Sequence, residues 1–558
     1  MGLGQKGYMF WSQFWWPSGI SLCRQSHSSE RIVLLWRDWW LARVYSKNIY
    51  ENTHCRMKQN GKLSREFKEW KGARQGHKRS SGHFKSYINP CLTAANSSEL
   101  GFHIGPVCIS VICIADDTYA LSWNPRSLQG LINIIGHYGR RYRLIFGPDK
   151  TKVTITGSKQ DMNYYKDINI WSLYGEPLNV SEDNDHLGLI VSGIDEEIKN
   201  IDKNIKAARD SLFSFLGNVF SHKCKLSPSV QFHTWQVFIK PVLRSRLAAL
   251  PIRPQALKPL TTFHHKVLRS ILKLSKYSPI PPLYFLLGEI PIEASLHLDI
   301  LALFWNIWSN PHTKSYEVLL YLLAMADDKS VTWTAHVRIL FKLYNLPDPL
   351  QLLAGQPWTK TAWLQYTKTS ITCYHEKMLR AKAENNRKLK YLNVKATGLS
   401  GRPHPILAWV KTTQDVDIVG PHIKMLAGDY LSYENLSLDR GVGPHCRLCQ
   451  LSYQLPAPAE TLEHLLTRCR ATSDVRSRIL PEILNTLSKY HPNNELLSKP
   501  THSKLTQFLL DSSSLNLQAN MRLAPNQKGF TDITKLCSSL IFAVHNERKR
   551  RLKGLQLL

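Results

Sequence analysis

The stretch Val107–Trp123, VCISVICIADDTYALSW, decides how the rest of the chain is read. An apolar run ends in two adjacent carboxylates, Asp116 and Asp117, and a second apolar stretch follows at once. Burying charge is costly unless the charge is paired or bound to a metal ion. VCISVICIA is long enough for one buried strand and TYALSW for its hairpin partner, which puts the carboxylates at the tip. Successive side chains of extended backbone point to opposite faces, so one carboxylate enters a cleft and its neighbour assists or orients. Two-metal chemistry at such a tip needs a further carboxylate from another strand. The bland reading of an Asp-Asp pair is a solvated turn cap.

The chain around this stretch has 558 residues, more than one hydrophobic core organises, and two to four modules are expected. Hydrophobic residues at 43% and aromatics at 10% are globular values and exclude a disordered chain. Lys and Arg number 72 against 42 Asp and Glu, a formal charge of +30. That excess calls for a polyanionic partner, nucleic acid first, because each neutralised phosphate releases counterions. The N-terminal MGLGQKGYMFWSQFWWPSGI lacks the regions of a secretory signal. The 11 cysteines are therefore expected reduced, in the nucleus and/or cytoplasm, with zinc favoured over disulfides. No window of about 18 apolar residues occurs, so no membrane span is expected.

Composition and periodicity divide the chain into six parts. Residues 1–55 are Trp-rich with little period. Residues 56–192 read as mixed helix and strand: Leu128, Leu131, Ile132 and Ile135 share a helical face, KTKVTITG alternates, and EDNDHLGLIVSG holds a further short strand. From 193 to 300 the period is helical, beginning with Ile194, Ile198, Ile201, Ile205, Leu212 and Leu216. Residues 301–395 are mostly helical, 396–475 hold a small Cys/His module, and 476–558 form a basic helical end.

Two further constellations carry chemistry. In WKGARQGHKRSSGHFKSYINP, Gly72 and Gly76 flank a loop with Arg74 and Gln75, and a helix begins near Ser80 or Ser81 with a serine cap. Arg and Gln on such a loop suit phosphate or base edges. In HCRLCQLSYQLPAPAETLEHLLTRCRA, Cys446 and Cys449 are followed by His464 and Cys469. Two thiolates on a tight turn with a His and a Cys around a short helix can close a tetrahedral, structural zinc site. The alternatives are unmetallated core thiols, and His445 in place of His464. NERKRRLKG reads as a nucleic-acid contact, an import signal or a solvated helix end. The N-terminal tryptophans read as core aromatics or as base-stacking platforms, and His264 and His265 as helix surface or satisfied core.

The order of these features resembles the reverse transcriptases of non-LTR (LINE-type) retrotransposons. GARQG, the helix HFKSYINP with Phe84, Tyr87, Ile88 and Asn89 in phase, IADD, GPDKTK and HLGLIVS match that family's motifs in sequence, over roughly residues 56–300. ETLEHLLTRC resembles the zinc-binding segment of the same proteins. The resemblance implies an α+β fold: a partial polymerase palm (antiparallel sheet with helices), a helical thumb, a helical connector and the zinc module. It implies RNA-directed DNA polymerisation with Mg²⁺, an RNA template, a DNA primer or target and dNTP. Asp116 would be a metal ligand and Asp117 its less direct partner. Lys150 would lie near the leaving pyrophosphate, and Arg74, Gln75 and Gly76 beside nucleotide or template. Gly147 departs from the family's usual asparagine. The family's first catalytic aspartate lies on a strand before the Arg-Gln-Gly loop. Here the first aspartate is Asp38, in LLWRDWW, which reads as a helix, and Glu30 is the sole carboxylate before it. The expectation is a truncated, catalytically incomplete copy, and the alternative a non-catalytic RNA/DNA-binding remnant.

Overall fold

Around the Asp-Asp stretch the chain builds a five-stranded sheet with two helices packed on it. The computed structural model describes residues 9–14, 54–68, 80–114, 117–157, 159–192, 195–217, 226–327, 330–394, 397–399, 401–440, 443–453, 457–490, 494–498, 500–513 and 527–555. The fold is helix-rich with small, mainly antiparallel sheets. It divides into two units, Met1–Asn200 with Asn310–Ala326, and Ile201–Ser309 with Asp327–Leu558.

In the first unit, β1 (Met9–Phe14), α1 (Ser80–Asn96), β2 (Val111–Ile114), β3 (Asp117–Ser122), α2 (Pro125–Tyr142), β4 (Lys152–Thr156) and β5 (Asn179–Val180) make the central layer pair. The strand order is β5-β4-β1-β3-β2, antiparallel except for the β4–β5 pair. Asn124 caps α2 by accepting from the Ser127 N–H at 2.8 Å, and Pro125 pre-sets the first turn. Leu128, Leu131, Ile132 and Ile135 are fully buried, as their spacing requires. They share a core with Tyr87, Ile88, Cys91 and Ala95 of α1 and with Val111, Ala120, Val153 and Ile155 of the sheet.

Three sequence expectations change here. VCISVICIA is two strands: Val107–Ile109 pairs with Phe102–Ile104, and Val111–Ile114 pairs with β3. Neither is a fully buried strand, since β2 is an edge strand with Ile112 and Ile114 exposed. The second change is in α3 (Glu196–Leu216), where Ile201 and Leu212 are buried but Ile198 is exposed. Asn200 and Asn204 occupy the buried stripe instead. The Asn200 amide bonds both the N–H and the C=O of Ile190, and that of Asn204 bonds the carbonyls of Leu243 and Ser245. Third, Met9–Phe14 is not an aperiodic stretch but a strand between two others.

The second unit is helical. Its helices include α4 (Leu257–Leu272), α5 (Ile292–Trp308) and α6 (Lys360–Glu384), and the rings of Phe304 and Trp308 of α5, Trp363 of α6 and Phe341 of the helix Trp333–Leu343 pack together, all buried. Toward the C-terminus, α7 (Thr413–Leu426), α8 (Arg447–Tyr453), α9 (Ser473–Tyr490) and α10 (Gln527–Gly554) follow. Ile483 and Leu487 of α9 pack with Ile533, Leu540, Ile541 and Val544 of α10. Among the described residues no helix is long and apolar enough to cross a membrane.

Candidate functional sites: the Asp-Asp hairpin and a Cys/His cluster

Strands β2 and β3 pair from Val111–Ala120 to Ile114–Asp117, so Ala115 and Asp116 connect them. Those two residues lie outside the described ones, as do Arg74, Gln75 and Gly76. Asp117 opens β3 and is half-buried. Beside it stands the hairpin β6 (Asp183–His186) and β7 (Leu189–Ser192), turned by Leu187 and Gly188, both at positive φ. Its His186 ring lies 3.8 Å from the Tyr119 ring, centre to centre. Burial, then the Asp117 and Asp185 carboxylates, push the Tyr119 phenol well above its usual range. Burial also holds His186 below its usual value, so the imidazole is neutral. Asp183 anchors the hairpin by accepting from Ser192 Oγ at 2.6 Å and Lys199 Nζ at 2.5 Å.

Lys150 sits in the turn before β4, where its N–H donates to the Gly147 carbonyl at 3.2 Å. The Thr151 hydroxyl donates to the same carbonyl at 2.8 Å. Gln13 of β1 pairs with Tyr119 on one side and Lys152 on the other. Asp117 and the turn that carries Lys150 therefore lie at one end of the sheet, beside strands two places apart whose spacing is about 10 Å.

Among the described residues, the strand between them brings no acid to this end of the sheet. The strand beside the Asp-Asp hairpin is β1, MFWSQF, and it carries no carboxylate. Two ions bridging a phosphoryl centre need oxygen ligands from at least two strands. Among the described residues, no group of three or more potential metal ligands forms at Asp117.

Such a group forms elsewhere. Cys446, Cys449, His464 and Cys469 are all buried, and their ligand atoms lie within 4.8 Å of one another. Tetrahedral zinc with bonds of about 2.3 Å holds its sulfurs about 3.8 Å apart. The Sγ atoms of Cys449 and Cys469 are 3.7 Å apart, and Cys449 Sγ is 3.4 Å from His464 Nε2. Backbone N–H groups of Cys449, Arg470 and Ala471 bond the sulfurs of Cys446, Cys449 and Cys469, neutralising thiolate charge as a metal site requires. A hydrogen bond from the Cys446 thiol, then His464, bring the Cys469 thiol down to about 4 against its burial. The donor set, spacing and burial fit zinc. His445 does not compete with His464: it is exposed, and its Nδ1 bonds the Ala457 carbonyl at 2.8 Å.

Residues 18–217 match the family of reverse transcriptase (RNA-dependent DNA polymerase). The matched segment contains the whole Asp-Asp hairpin and supports a reverse transcriptase domain in this part of the chain. It spans 200 of the 558 residues, so the Cys/His cluster lies outside it. No curated protein matches the sequence.

Sequence reasoning missed the grouping of Tyr119, Asp185 and His186 at Asp117. HLG in the sequence signals the hairpin turn, but nothing local signals the ring contact across 67 residues. It also misread His264, which is fully buried against the Trp235 ring with neither ring nitrogen bonded, not a satisfied core histidine. Burial holds that imidazole neutral.

Proposed function

We propose that this chain is a reverse transcriptase-like protein of the non-LTR retrotransposon type that binds RNA and DNA without polymerising. The reading rests on one observation above all: the sheet position beside the Asp-Asp hairpin is filled by Met9–Phe14, which offers no acid. In this reading residues 56–192 are a partial palm and 193–300 a thumb, and the protein works in the nucleus or cytoplasm. Asp117 and Lys150 lie at one end of the sheet, and among the described residues no neighbouring strand offers an acid for a second ion. The basic excess supplies sequence-independent grip on phosphate, and the Cys/His cluster supplies a rigid C-terminal module when zinc is bound.

The family match favours a second reading, an active polymerase, and primer extension separates the two. With an RNA template, a DNA primer, dNTP and Mg²⁺ or Mn²⁺, no extension is expected. Extension that Asp116→Ala abolishes would overturn the proposal. RNA affinity should fall steeply between low and moderate salt, and a flat response would remove the binding claim as well.

A further inference from the structure

The run NERKRRLKG, which reads as a solvated helix end, is not uniformly solvated. Leu552 of α10 is buried in one cluster with Cys446, Leu448, Cys449, Cys469 and Ala471. One turn earlier, Arg548 is buried too and pairs with the fully buried Glu460 at 2.7 Å. Its guanidinium also lies over the rings of Tyr430 and Tyr433, and Arg447 of α8 approaches the same Tyr433 ring. The terminal turns of α10 and the Cys/His module are therefore one packed body. Residues 549 and 553 follow the two buried positions by one place each, so Lys549 and Lys553 stack on one shoulder of the seam. Both are exposed, and no carboxylate pairs with either among the described residues. Arg550 and Arg551, by contrast, are tied to Glu547, and Arg468 to Glu463.

We infer that the Cys446/Cys449/His464/Cys469 cluster, through Leu552 and Arg548, fixes α10 so that Arg447, Lys549 and Lys553 form one rim for a nucleic-acid phosphate backbone. Metal occupancy then controls the rim, because three of the ligand residues, Cys446, Cys449 and Cys469, share one buried cluster with Leu552. This rests on the nucleic-acid-binding reading above and adds what regulates it. The test uses the full chain, zinc alone as the metal, and a single-stranded RNA oligonucleotide. Removing zinc with a chelator should abolish hydrogen-exchange protection over residues 540–553, and restoring zinc should return it. Leu552→Ala should keep the zinc stoichiometry while losing that protection. Lys549→Ala with Lys553→Ala should keep both and lower the slope of log affinity against log salt by about 1.4, two single-strand phosphate contacts. Protection unchanged by zinc removal overturns the metal control, and an unchanged salt slope overturns the rim. If the wild type binds no RNA, the functional reading and the rim fail together, while the exchange measurement still decides the clamp.

Discussion

Glu460 is fully buried, and its carboxylate accepts from Arg548 at 2.7 Å and from the Tyr433 N–H at 3.0 Å. Such a pair is weak evidence of net stabilisation, because both ions are desolvated, yet breaking it leaves one charge stranded. Arg548→Met should cost about 3–5 kcal/mol in urea unfolding. Adding Glu460→Gln should recover most of that loss, because no charge then remains to be solvated. A double variant as unstable as the single one would refute the stranded-charge account. Nearby, Cys449→Ser removes the sulfur that faces both His464 and Cys469. Bound zinc should drop well below one per chain, and an unchanged stoichiometry would show that the four residues hold no structural ion.

Helix ends make the element scale testable. Gly288 closes the helix Pro281–Leu287 at φ +64°, and a Cβ there would stand 2.2 Å from the Arg402 carbonyl oxygen. The same turn is clasped from the other side, since the Gly401 N–H donates to the Gly288 carbonyl at 2.7 Å. Backbone strain and a backbone clash act together, so Gly288→Ala should cost roughly 2–3 kcal/mol. Gly420, inside α7 with open space around it, is the contrast: Gly420→Ala should be neutral or stabilise by up to about 1 kcal/mol. Equal effects in denaturant melts would refute the argument from fit. Elements of this local kind were legible in the sequence. The four apolar residues of α2 announce its buried face, and the Cys/His spacing announces the cluster. What the sequence hid depends on partners far along the chain. Nothing in MFWSQF shows that it pairs with residues 118–122 and 152–156. Nor does the asparagine stripe of α3 read as core until the carbonyls of Leu243 and Ser245 arrive to satisfy Asn204.

At the scale of the molecule, a chain of charge +30 must still hide several imidazoles. His422 is buried between the Ser538 hydroxyl and the Leu510 carbonyl, with His404 and Asp511 nearby. Burial takes it down to about 4, although the Leu510 carbonyl and Asp511 resist. His297 bonds the Tyr344 hydroxyl, faces His336 and His375, and is taken by burial to about 3. Free histidine titrates near 6.5, so between that value and about 4 the unfolded chain takes up protons that the folded chain refuses. The stabilisation from these two neutral rings is complete above pH 6.5 or so and is lost as pH falls toward their folded values. Each contributes about 1.4 kcal/mol per pH unit within that window, roughly 3 kcal/mol per unit together. Protonation also adds positive charge to a molecule that already repels itself, so the two effects have the same sign. Urea unfolding at constant ionic strength should show a marked loss of stability from pH 7 to pH 5. His422→Asn should lower stability at pH 7 yet reduce the slope of stability against pH by about 1.4 kcal/mol per unit in that window, because one of several titrating rings is gone. A pH profile unchanged by that substitution would mean that His422 is not held neutral by its burial.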